Sequence, residues 1–520
     1  MDFMKQLENT ANHSVTENGA VGYRTSGSPF VDATFKISTY RNKSEVEIIE
    51  DFLKMYEEDS ILALKWLFYV RDIREGVGER KLFRTIVSYL ANNDADEFSK
   101  LVGLIPEYGR WDDLFELFDS PLENQMMTFC ATTLCEDKAR MKKGKSTSLL
   151  AKWMPSENAS SNETKVRARK FMKHFEMNAR AYRRMLVNLR RYIDIVERKM
   201  SANNWSSIDY SKVPSKANLI YSNAFFRHDN ERRAEFFKQL ERGETKINAS
   251  TLFPHDIVHR YRNKDGYWGI GRLIDVDTTL EELWKSQLKD FNLNNTLIIR
   301  DGSGSMTVNI SKNDGVTALD VADALTLYFT SSCRGGFKDK FITFSSHPQL
   351  VDVSKFDTLH DKLDYLSEFN DCTNTNIEKT FDLILSTALN SNMKQEDMPE
   401  RILIVSDMEF DAATYSSYSW EYTKSEYKIK LFDEIKQKFE KQGYKLPKLV
   451  FWNVNSRTST IPVKENELGV SLVSGFSKNV INMVMQDELN PFNALLNVLN
   501  SDRYKPVETL LCKEDNIYSN

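Results

Sequence analysis

The chain has 520 residues, of which 41% are hydrophobic and 28% charged, with a formal net charge of −5. This is the composition of a globular chain long enough for about two to four domains, and it excludes a disordered polymer or a wholly basic nucleic-acid binder. The opening MDFMKQLENTANHSVTENG lacks a basic head followed by an apolar run, and no uncharged stretch approaches about 18 residues, so an intracellular, cytoplasmic chain with no membrane span is expected. The five cysteines, Cys130, Cys135, Cys333, Cys372 and Cys512, are odd in number and lack zinc-type companions, which points to reduced thiols.

Residues 44 to about 120 read as consecutive short helices. SEVEIIEDFLKMYEED, SILALKWLFYVRDIREG, ERKLFRTIVSYLANN and DADEFSKLVGLIPEYG each carry apolar residues at three- and four-residue spacing. Helices joined this closely stack in pairs, and tandem pairs build a HEAT-like α-solenoid or ring. Within this stretch, REGVGER reads as a helix end at Gly76, a turn at Gly78 and a new start at Glu79 and Arg80. YGRWDD reads as a contact between repeats, with Trp111 packed. The polar run PSENASSNETK, 155–165, is expected to be an exposed loop.

From Ser161 to Met200 there are twelve Lys and Arg against four Asp and Glu, a local excess of eight positive charges in an acidic chain. Apolar residues at Tyr182, Met185, Leu186, Leu189, Tyr192, Ile193 and Val196 predict one continuous helix over 180–200. Arg180, Arg184, Arg191 and Arg198 then share the opposite side, with Arg183 and Arg190 beside them. A solvated face usually mixes charge signs, and this one scarcely does. The five residues Arg180, Arg183, Arg184, Arg191 and Arg198 are therefore candidate phosphate contacts.

Beyond about residue 290 strands alternate with helices. TLIIRD, KFITFS, RILIVSD, KLVFWNV and GVSLVSG are apolar on both faces and imply a doubly wound parallel sheet. Ligands of such sheets sit at the carboxyl ends of the strands. There DGSGSM places Asp301, Ser303 and Ser305 at alternate positions, hard oxygen donors that suit Mg²⁺ or Mn²⁺. A phosphate loop would need a lysine that is not present, and a nucleophile elbow would need G-x-S-x-G, which Gly302-Ser303-Gly304 does not supply. Further oxygens are available from Asp407, which ends RILIVSD, and from Thr373 or Thr375 in CTNTNIEKTF.

These motifs, in this order, resemble the metal-ion-dependent adhesion site of von Willebrand factor A domains. By that resemblance Asp301, Ser303 and Ser305 bind the cation, a threonine adds a direct or water-mediated ligand, and Asp407 completes the shell. Thr375 is the better match to the family's threonine, although Thr373 and Asn374 stand where the family has glycines. The amino-terminal half carries a second resemblance: FYVRDIREGVGERKLFR followed by IPEYGRWDDLFEL is similar to the TROVE module of the Ro autoantigen family. Together with TENGAVGYRTSGSPFVD, VPSKANLIYSNAFFRHD and KINASTLFPHDIV it resembles a less characterised branch found in viruses, plants and fungi. The implied organisation is an extension packed on the repeats over 1–43, a helical-repeat domain over 44–285, and a von Willebrand A-like domain over 286–520.

The resemblance implies an RNA-binding protein that takes single-stranded ends or structured small RNA, with the cation site reserved for a partner's acidic group. The rival reading is a metal-dependent protein-interaction adaptor that binds no RNA. Catalysis is not expected. His228, His255 and His259 read as structural, and RHD at 227–229 is the one place where a nuclease function would be sought.

Overall fold

The computed structural model describes residues 3–262, 272–291, 293–312, 315–344, 347–370, 377–410, 431–462, 470–485 and 490–512. A helical region is followed by a mixed α/β sheet domain, and the chain divides into two compact units: Met1–Ser44 with Asn248–Val498, and Glu45–Ile247 with Leu499–Asn520.

In the first unit the helix Phe3–Ala11 is followed by the antiparallel pair β1 (His13–Val15) and β2 (Val21–Tyr23). Its centre is a sheet of β3 (Thr296–Asp301), β4 (Lys340–Phe344), β5 (Leu350–Asp352), β6 (Arg401–Ser406), β7 (Lys448–Asn453) and β8 (Val470–Ser474), in the order β5-β4-β3-β6-β7-β8. Only β5 runs antiparallel, paired to β4. All six residues of β3 are buried, as a strand covered on both faces requires. On one face Leu297, Ile299, Ile402, Ile404 and Phe451 pack with Phe381 and Ile384 of the helix Ile377–Asn390. On the other face the helix Ala318–Ser332 lies against the sheet, with the rings of Phe329 and Trp452 5.0 Å apart and Arg300 bonded to Asp323.

The observed boundaries differ from the expected ones at three places. Residues 1–43, expected to pack on the repeats, belong to the sheet unit. Tyr23 and Ile461 exchange two backbone hydrogen bonds of 2.8 Å, and Ala20, Val31 and Phe35 enter the sheet's core. The expected boundary at 285/286 moves back to 247/248, because the helix Pro254–Tyr261 packs on Ala318–Ser332 through His259 and Asp320, 2.9 Å apart, and through Arg262 with Asp320 and Asp323. Finally, the last residues return to the helical unit. Arg503 pairs with Asp72 at 2.7 Å, and Lys65 with Glu508 at 2.6 Å.

In the second unit the helices Glu45–Glu58, Ser60–Arg71 and Lys81–Asn93 follow the expected order and pack on one another. The fourth expected helix is instead a series of short turns, Ala95–Ser99, Val102–Leu104 and Ile105–Tyr108, where Gly103 and Pro106 interrupt a longer helix. Gly76 approaches the backbone so closely that a Cβ there would lie 2.1 Å from the Tyr69 carbonyl oxygen. Buried Arg71 binds Asp113 at 2.7 Å, and Trp111 stacks on Phe129, so both amino-terminal motifs hold helices together. The long helices Glu123–Lys142, Asn162–His174, Ala179–Tyr192 and Ser215–Glu241 complete the unit.

Candidate metal centre and basic helical face

At the carboxyl edge of the sheet, Asp301 ends β3 and Asp407 follows β6, and neither side chain reaches solvent. Gly302 permits the turn: a Cβ there would stand 2.7 Å from Arg300 Nη1 and 3.0 Å from the Phe369 carbonyl oxygen. The turn brings the Ser303 N–H to Asp301 Oδ1 at 3.0 Å and sets the Ser303 and Ser305 hydroxyls 2.9 Å apart. Three of the predicted ligands are thus gathered in one loop. From the neighbouring strand, the Ser406 hydroxyl donates to Asp301 Oδ2 at 2.6 Å and accepts from the Met408 N–H.

The two carboxylates work against each other. Burial, followed by the charge of Asp301, pushes the Asp407 carboxyl up to about 7, against the opposing pull of Arg457 and Ser305. Burial likewise raises Asp301, opposed by hydrogen bonds from Ser406 and Ser303. Arg457 Nη1 stands 3.2 Å from Asp407 Oδ2, and the same guanidinium pairs with Glu17. Glu409, also fully buried, accepts from the backbone N–H groups of Glu17, Arg457 and Thr458 at 2.7–2.9 Å. It thereby fastens both flanking segments to the loop after β6.

Hydroxyls and two buried, mutually repelling carboxylates form a hard-oxygen donor set, and a divalent cation fits its charge and chemistry. Asp301, Ser303, Ser305 and Asp407 are the residues that would hold it. Thr373 and Thr375 lie outside the described residues. Among the described residues no three His, Cys, Asp or Glu side chains gather as metal ligands. Ser406, Glu409, Arg457 and Glu17 were not among the expected site residues, although Ser406 stands in RILIVSD and Glu17 in TENGAVGYRTSGSPFVD.

In the helical unit the continuous helix expected over 180–200 is broken in two. Ala179–Tyr192 ends, Asp194 takes φ 60, and Val196–Ser201 starts afresh. Arg198 therefore lies on a different helix from the other four arginines. Arg180, Arg183, Arg184, Arg191 and Arg198 are all exposed, and none has an ion pair among the described residues. Some of their basic neighbours are paired, Arg167 with Glu163, Lys170 with Asp119 and Glu123, and Lys199 with Asp194, while Lys165, Arg169 and Lys173 have no ion pair among the described residues. Arg190 turns inward to the carbonyl oxygens of Ala151 and Met154, each at 2.7 Å. Tyr182 is core, with its hydroxyl on the Pro155 carbonyl.

The three histidines occupy separate settings. His228 stacks on Trp205 at 4.5 Å, His255 lies against Phe253, and His259 bonds Asp320. Asp229 of RHD sits at a break inside the helix Ser215–Glu241 and accepts from Tyr210 and Arg232.

Two family models match the chain, both described as domains of unknown function: DUF7788 over residues 295–504 and DUF2828 over residues 16–98 and 157–297. The first match begins one residue before β3. The chain is 29% identical to uncharacterized protein L728 of Acanthamoeba polyphaga mimivirus, over 96% of this chain and 89% of the viral protein. Among solved structures it is similar to the RO (RSR) protein of Deinococcus radiodurans, with 13% identity and a TM-score of 0.36, covering 86% of this chain and 92% of that one. Among the described residues no helix is long and apolar enough to cross a membrane.

Proposed function

We propose that this is a non-catalytic, cytoplasmic RNA-binding protein of the Ro/TROVE kind, which binds single-stranded ends or structured small RNA on the basic face of its helical unit. The observation that carries the reading is the set of five exposed arginines without acid partners, Arg180, Arg183, Arg184, Arg191 and Arg198, beside basic residues of which some are paired. Unpaired like charges on one helix face, as Arg180, Arg183, Arg184 and Arg191 are, cost folding stability, and phosphates that displace counterions would relieve that repulsion. Such contacts are independent of sequence, and they fix how the strand lies rather than which bases it carries. The sequence resemblance to the TROVE module adds to this. The test is the affinity of the full chain for an unstructured RNA oligonucleotide and a small RNA hairpin across a salt series. A log-log slope of several units supports the reading, and binding that is weak and insensitive to salt removes it.

The sheet unit is proposed as a site for Mg²⁺ or Mn²⁺ that presents an open coordination position to an acidic group of a protein partner. The cation supplies a Lewis-acidic point charge when bound. Asp301 and Asp407 supply the negative charge, Ser303 and Ser305 the neutral oxygens, and Ser406 holds Asp301 in orientation through its hydroxyl. The adaptor reading, in which this site is the whole function, is supported by the burial of two carboxylates together at the sheet edge.

A further inference from the structure

Between the helices Glu123–Lys142 and Ala179–Tyr192 lies a cleft of about 630 Å³, within the range that holds a ligand of a few ring systems. Lys138, Arg180 and Arg184 stand at its rim, all three exposed and none in an ion pair among the described residues. Its floor is formed by Met141, Met177 and Met185, each partly buried. Arg180 and Arg184 are four residues apart on one helix, so their like charges face each other across one turn, and that placement weakens the helix unless an anion lies between them.

From this we infer that the cleft is a binding site for one unpaired nucleotide of an RNA strand, an assignment that rests on the RNA-binding reading above. The chemistry divides within the cleft. The cations at the rim suit a phosphate, while the polarisable thioethers of the floor adapt to the flat face of any base. Asn188, exposed at the same cleft, offers both a donor and an acceptor to a base edge. A carboxylate side chain would satisfy the rim and leave the methionine floor in contact with water, which favours a nucleotide over an acidic peptide. In a duplex the bases are held in the stack, so only a single strand can place a base here.

The experiment uses the full chain and two probes of equal length, an unstructured single-stranded oligonucleotide and a blunt RNA duplex. The variant A181L/N188L narrows the cleft at two exposed helical positions and changes no charge, with circular dichroism and thermal melting as the check that it folds. Single-strand affinity is expected to fall on the order of tenfold, the loss of one base contact, while duplex affinity stays at the parent's value. Equal affinities of variant and parent for the single strand, or equal losses for both probes, would overturn the assignment while leaving the basic face intact. If the parent binds neither probe, the RNA reading itself fails and the cleft falls with it. Tighter binding of polyglutamate than of the oligonucleotide by the parent, lost in the variant, would also overturn it and give the cleft to an acidic protein.

Discussion

Arg457 donates from Nη1 to Oδ2 of Asp407 across 3.2 Å, so that a carboxylate raised by burial has a guanidinium as its counter-ion. The same arginine is also held by Glu17, and its backbone N–H is held by Glu409. One monovalent cation, shared with a second acid, thus offsets part of the repulsion between Asp301 and Asp407.

A divalent cation at the serines would compete with that guanidinium for Asp407. Arg457→Gln is therefore expected to tighten Mn²⁺ binding by about tenfold, the scale of one lost charge-assisted hydrogen bond, and to lower the melting temperature of the metal-free chain. Calorimetry and thermal melting read the two effects. Weaker Mn²⁺ binding in the variant would show that Arg457 supports the site instead of competing for it.

Asp301→Ala should abolish cation binding while the sheet unit stays folded, because the ligand set loses one of its two charges. Metal uptake should also depend on pH with a definite sign. The Asp407 carboxyl, pushed up to about 7, must lose its proton to bind a cation, so affinity falls as pH drops below about 7 and a proton is released on binding. Titrations in buffers of different ionisation heat count that proton. An Asp301→Ala variant that binds Mn²⁺ as the parent does would remove the proposed site.

A separate pH dependence belongs to the fold. Burial opposes the ionisation of Asp320, but the charge of Arg262 and the hydrogen bond from His259 hold its carboxyl down at about 2. The folded value lies below the unfolded value of about 3.9. The stabilisation is accordingly present above about pH 4 and lost as pH falls toward 2, and for a shift of this size it amounts to about 2–3 kcal/mol. Denaturant melts of Asp320→Asn against the parent should show a gap that is widest near neutral pH and closes toward pH 2. A gap that is constant with pH would mean that Asp320 acts through packing alone.

Much of the sheet was legible because β3, β4, β6, β7 and β8 are apolar on both faces and end in turn residues, a pattern set by local burial. The edge strand β5 has three residues and an exposed Leu350, so it carries no such signal. Asp301, Ser303, Ser305 and Asp407 were readable for the same reason: they follow strands that could be found. Glu17, Glu409 and Arg457 were not, because the contact of Glu17 with Arg457 joins segments 440 residues apart, and TENGAVGYRTSGSPFVD, which contains Glu17, carries no local sign of that partner. The helix break at Asp194 was hidden as well. Apolar spacing continues through Tyr192, Ile193 and Val196 as though no left-handed residue lay between them.

The central claim is that unpaired arginines on the helix Ala179–Tyr192 contact RNA phosphates, and the most direct test is the salt dependence of RNA binding by the Arg184→Glu, Arg191→Glu double variant. Each phosphate contact contributes about −0.7 to −0.9 to the slope of log affinity against log salt. The variant is expected to bind unrelated RNA sequences more weakly to the same degree, with a slope flatter by about 1.4 to 1.8 units for the two lost contacts, and to bind Mn²⁺ as the parent does. RNA binding as tight and as salt-sensitive as the parent's would contradict the account and leave the arginines as a solvated surface.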